Sequence, residues 1–256
     1  MYTGFNLENI SVPEIHLTKE WDVLFSEYKR KMHSTLHEYT TQNGMIDGKK
    51  IQDDWFPEVK ANIFISHSHA DEPKAINLAR WLYDRFDLVA FVDSCVWGYA
   101  DELLKEIDDR YCWNSDRNSY IYERRNYSTS HVHMMLMTAL NKMIDKTECV
   151  FFLNTKNSIS LANIESETLS PWIYGEIEIT RTIRKQTPER EETRTYSKGG
   201  MLERLGSGLN IKYPVDISHF NSIDMGILTT WNRCERKGTD ALDELYKITG
   251  LIPHRV

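Results

Sequence analysis

The chain has 256 residues, 41% of them hydrophobic, with 31 Lys and Arg against 38 Asp and Glu for a formal charge of −7. It has enough apolar content for a buried core, which excludes a disordered chain, and its acidic balance argues against a general nucleic-acid binder, whose affinity rests on a basic surface. Four sparse cysteines with no C-x-x-C pair exclude a disulfide scaffold, and apolar runs no longer than "CVFFL" fall far short of the ~20 residues that span a bilayer. The expectation is a reduced, cytoplasmic protein that engages neither membrane nor nucleic acid.

Residues 1–16 read as irregular. Over residues 18–40, Trp21, Leu24, Phe25, Tyr28, Met32 and Leu36 recur at helical spacing, which predicts a long amphipathic helix ended by the turn signals of "QNGMIDGKK". From residue 61 the pattern changes to strands alternating with helices. "ANIFISHS" reads as a buried strand and "DEPKAINLARWLYDRF" as a helix with Ala75, Leu78, Ala79, Leu82 and Phe86 on its inner face. "LVAFVD" reads as a second strand, "ADELLKEIDDRY" as a helix, and 111–130 as a polar, aromatic insertion. Then come the helix "SHVHMMLMTALNKMID", the strand "ECVFFLN" and the helix "PWIYGEIEITRTIR", with Ser170 as cap and Pro171 in its first turn. After a charged, Gly-rich stretch at 185–208, "LNIKYPVDIS" is expected as a fourth strand and "GTDALDELYKITG" as a closing helix. Strands spaced by helices imply an α/β fold with a parallel sheet. The expected organisation is a helical extension over 1–58 and an α/β domain over 59–256.

In an open parallel sheet, ligands bind beyond the carboxyl ends of the strands. Ser66, His67, Ser68, His69 and Asp71 follow the first strand read this way. Asp93, Ser94, Cys95, Trp97 and Gly98 follow the second, and Asn154, Thr155, Lys156 and Asn157 the third. No G-x-G-x-x-G or P-loop occurs there, which argues against a Rossmann dehydrogenase or a Walker-type ATPase. Cys112, His131 and His133 fit no standard zinc spacing, so no metal is expected. Arg124 and Arg125 with Tyr120 and Tyr122 read as a solvated loop or a phosphate or partner contact, and the methionines at 134–137 as core.

Glu176 stands out. With Trp172 at zero, Ile173 lies near ~100° and Ile177 near ~140° on the helical wheel, and Glu176 near ~40°, inside the apolar arc. An ionised carboxylate there is costly without a partner. It is either a site residue or a structural carboxylate.

In their order, "NIFISHSHADE", "LVAFVDSCVWGYADELLKEI", "DKTECVFFLN" and "SPWIYGEI" resemble a Toll/interleukin-1 receptor (TIR) domain over about residues 61–184. The W-x-x-x-E of "WIYGE" resembles the signature helix of family members that cleave NAD. The resemblance implies a flavodoxin-like sheet of order 2-1-3-4-5, with Glu176 as the catalytic glutamate and NAD as substrate rather than cofactor. It places Trp172, His67, Ser68 and His69, and in the BB-loop region Asp93, Trp97 and Gly98, at the substrate. It further implies an NAD glycohydrolase or ADP-ribosyl cyclase in antiphage defence, as in Thoeris systems, a homo-oligomer through TIR contacts, and a separate effector that senses the product. The family's first loop often carries arginines; this chain has none there. Two alternatives stay open: a non-catalytic TIR scaffold, and a nucleoside deoxyribosyltransferase-like enzyme, which also uses a crevice glutamate.

Overall fold

The computed structural model describes residues 1–15, 23, 39–40, 45–97, 100–159, 167–188 and 213–251. Five parallel strands form the central sheet: β1 (Thr3–Glu8), β2 (Ile63–Ser66), β3 (Ala90–Phe91), β6 (Cys149–Asn154) and β9 (Asn221–Ile223), in the spatial order β3-β2-β6-β1-β9. Helices flank it: α1 (Gly48–Trp55), α2 (Glu72–Phe86), α3 (Asp93–Trp97), α4 (Ala100–Tyr111), α5 (Tyr122–Lys146), α6 (Pro171–Thr182), α7 (Met225–Asn232) and α8 (Thr239–Ile248). Two small antiparallel pairs, β4 (Trp113–Asn114) with β5 (Ser119–Tyr120) and β7 (Glu167–Thr168) with β8 (Tyr213–Pro214), lie outside it.

The period-two alternation of β6 explains the two cores. Phe151 points to the face where Phe5, Trp231 and Tyr246 meet edge-on or stacked, which buries α7 and α8. Phe152 points the other way, into a second cluster with Ile173 and Ile177 of α6 and with Phe220. Trp231 anchors the first face. It stacks on Phe86 at 4.1 Å, meets Trp81 edge-on, and its indole N–H donates to the Ala241 carbonyl at 2.8 Å.

The α/β class with a parallel sheet is as expected, but several local readings are corrected. Within the stretch 1–16 read as irregular, Thr3–Glu8 is an interior strand, paired along its whole length with Cys149–Asn154. "TGFNLE" alternates Phe5 and Leu7 with Asn6 and Glu8, a strand period that the short polar surroundings obscure. Residues 1–58 therefore supply part of the common sheet, and Ile51, Trp55 and Phe56 join its main core. The half-sheet β3-β2-β6 keeps the implied 2-1-3 arrangement, but β1, not a later strand, takes the next place, so the order by chain is 3-2-4-1-5.

The turn signals at Asp47–Gly48 start a helix, because the Asp47 carboxylate caps it through Lys49 N and Lys50 N. Residues 122–130 are the first turns of α5, and only a short hairpin remains of the expected insertion. Among the described residues of "LNIKYPVDIS", which begin at Tyr213, Tyr213–Pro214 forms a strand, off the main sheet; the edge strand is Asn221–Ile223. Met134 is exposed, whereas Met137 is buried. The helix expected over 18–40 lies outside the described residues apart from Val23 and two residues at its end. No helix among the described residues is long and apolar enough to cross a membrane.

Candidate active site

From β2 the chain passes to β3 on one side, and from β6 it passes towards β9 on the other. Neighbouring strands whose onward connections diverge leave a crevice at their carboxyl ends, where ligands bind in open α/β sheets. Ser66 ends β2 and Asn154 ends β6. Asp71 ties the two departing loops together. Its buried carboxylate accepts from Thr155 Oγ1 at 2.5 Å, Asn157 Nδ2 at 3.1 Å and Lys74 Nζ at 2.8 Å. Burial opposes its ionisation, but the Lys74 ammonium and the two hydrogen bonds outweigh that and hold the carboxyl below the usual range.

Helix α6 begins at this end of the sheet. Ser170 caps it by accepting from Ile173 N at 3.3 Å, and Pro171 occupies its first turn, where no N–H is needed. Two turns in, Glu176 is 3% exposed, inside the buried arc with Ile173, Ile177 and Thr180, as its wheel position implies. The Ser66 hydroxyl donates to Glu176 Oε2. Burial first, and then the nearby Asp93 carboxylate, raise the Glu176 carboxyl well above the usual range; the Ser66 bond offsets only part of this.

Asp93, at the start of α3, also reaches His67. His67 Nδ1 lies 3.3 Å from the Ile65 carbonyl and 3.6 Å from Asp93 Oδ1, and its Nε2 lies 3.3 Å from Ser94 Oγ. A carbonyl oxygen only accepts, so Nδ1 carries hydrogen and the imidazole is oriented between β2 and α3. Ser66, His67, Asp93, Ser94 and Glu176 therefore form one cluster at the carboxyl ends of β2 and β3. Among the described residues, no lysine or arginine pairs with Glu176 or Asp93.

The other expected site residues divide. Ser68 is half-buried just before a single 3-10 turn, and its side chain caps nothing. His69 is exposed, 3.9 Å from the Glu72 carboxylate rather than in the cluster. Trp172 is partly buried against the main core. Trp97 ends α3, but its side chain, like Gly98, lies outside the described residues. Arg125 is structural: it pairs with the buried Asp108 at 2.8 Å and lies over the Tyr120 ring, while Arg124 donates to the Tyr111 carbonyl. Sequence reasoning noted Ser66 and Ser94 only as rim residues, and missed Asn6 and Glu8 on β1 altogether.

No family model matches the chain, and searches of curated proteins and of solved structures yield no similar protein.

Proposed function

We propose that this chain is a TIR-type enzyme that cleaves the nicotinamide–ribose bond of NAD, with Glu176 as its catalytic carboxylate. The carrying observation is the Glu176–Asp93 pair: two carboxyl groups at the sheet's crevice end, one fully buried, without a lysine or arginine partner among the described residues. A cationic pyridinium-ribosyl group is the ligand that such a pair attracts. Its approach offsets the burial and repulsion that disfavour the charged form of Glu176, and so favours ionisation. Nicotinamide departs as a neutral molecule and needs no acid. The positive charge that develops on the ribose carbon is stabilised by the fixed carboxylate. Ser66 orients Glu176, and His67, held by the Ile65 carbonyl and Ser94, lies beside Asp93. On the resemblance, the proposal extends to a cytoplasmic enzyme that assembles through TIR contacts and whose ADP-ribose-derived product signals to a separate effector in antiphage defence.

A second reading has its own observation. A carboxyl whose proton affinity is raised by burial and by a neighbouring carboxylate is suited to act as a general acid, which suits cleavage of a nucleoside whose neutral base needs protonation. Incubation with NAD and, separately, with purine and pyrimidine nucleosides, followed by chromatography of the products, decides between them. Release of nicotinamide that Glu176→Gln abolishes, in a variant with an unchanged circular dichroism spectrum, is the expected result. Base release from nucleosides without NAD turnover assigns the second reading, and wild-type NAD turnover in Glu176→Gln removes Glu176 from catalysis.

A further inference from the structure

On the α6 face, β1 ends in the polar residues Asn6 and Glu8, and β6 ends in Asn154 beyond Phe152. Parallel register sets Ser66, Phe152 and Asn6 in one row across β2, β6 and β1, and Asn154 beside Glu8 one step further along. Glu8 Oε1 accepts from Asn6 Nδ2 at 2.7 Å and from Asn154 Nδ2 at 3.2 Å. Asn6 is 4% exposed, and among the described residues no donor reaches its buried Oδ1. Because Glu8 takes the amide N–H, the orientation of Asn6 is settled and Oδ1 is the atom left over. Buried polar atoms are seldom left unpaired, and this one lies beside a carboxylate that two amides orient, at the open end of the strand.

We propose that Glu8, held by Asn6 and Asn154, forms a second sugar subsite that takes the vicinal hydroxyls of the adenosine ribose of a dinucleotide. The inference rests on the NAD reading for its choice of ligand. The second carboxylate oxygen of the exposed Glu8 is an acceptor, so the ligand must present donors. That excludes phosphate oxygens and suits a ribose diol, whose two O–H groups meet one carboxylate. A carboxylate at the end of a parallel strand serves ribose hydroxyls in the same way in dinucleotide-binding sheets. Two strand spacings and two residues of rise separate Glu8 from Ser66 by about 12 Å. One ribose cannot bridge that gap, whereas two riboses joined through a pyrophosphate can. The strand from the N-terminal segment thereby distinguishes a dinucleotide from a nucleoside.

Isothermal titration with ADP-ribose and with its 2′,3′-dideoxyadenosine counterpart tests this. The wild-type protein is expected to prefer the diol at least tenfold, Glu8→Ala to lose the preference, and Glu8→Gln, a neutral acceptor, to keep part of it. The ratio is taken within one protein, so partial unfolding of a variant does not imitate the result. Equal affinity of the wild type for the two ligands, binding of neither, or an undiminished preference in Glu8→Ala overturns the subsite. A diol preference that depends on Glu8, together with wild-type NAD turnover in Glu176→Gln, keeps the subsite and discards the catalytic assignment instead.

Discussion

Replacing Glu176 with glutamine should stabilise the ligand-free protein at neutral pH, and the gain should vanish in acid. The side chain is 3% exposed, so solvent screens it little, and burial and Asp93 both raise its proton affinity in the folded state. In the unfolded chain a glutamate titrates near ~4.3. Between that value and its raised folded value, the native state holds one more proton than the unfolded state. Stability then falls by about 1.4 kcal/mol for each unit that pH rises, and levels off above the folded value. The contribution is thus fully present below the unfolded pKa and is lost as pH climbs. Glutamine keeps the acceptor for the Ser66 hydroxyl and nearly the same shape, but has no such slope. Urea unfolding of both proteins at half-unit steps from pH 4 to 8 gives the difference curve. It should rise from near pH 4.5 at up to ~1.4 kcal/mol per unit and then flatten. Asp93→Asn should make it flatten at lower pH, because one of the two causes of the shift is gone. A difference curve without slope between pH 4.5 and 6 would refute the raised proton affinity and the buried-acid account of the site.

Gly4→Ala should destabilise by about 1–3 kcal/mol in urea unfolding, the usual penalty for overpacking, because its Cβ would lie 2.3 Å from Cδ1 and Cε1 of Phe220. That ring is itself packed in the second core beside Phe152, so an unchanged midpoint would show that it gives way. Asp71→Ala should cost about 1–3 kcal/mol for the charge-assisted bonds it removes, and should speed proteolysis in the loops after β2 and β6. The Asp71 carboxyl is lowered in the fold, so its stabilisation is present above the unfolded aspartate value near ~3.9 and is lost as pH falls through the folded one. The wild-type advantage over Asp71→Ala should therefore shrink in acid, and an advantage constant from pH 7 to pH 2 would contradict the ion pair.

Local pattern alone determined a good deal of this protein. The apolar runs of β2 and β6, the helical spacing of α2, α4 and α8, and the Ser170–Pro171 start of α6 are each set by neighbours in the chain. A 100° step per residue is also enough to place Glu176 inside the buried arc of its helix. The tertiary structure alone decided which strands lie side by side. Thr3–Glu8 pairs with residues about 146 positions away, and Asn221–Ile223 is too short to show a period, so neither place in the sheet is written locally. Periodicity states which face a side chain takes but not what it meets there, because a backbone ladder accepts any strand of suitable register. The encounter of Asp93 with Glu176, the bond from Ser66 and the Asn6–Glu8–Asn154 shelf are products of that long-range packing. They come from three separate strands and two helices that only the assembled sheet brings to one end.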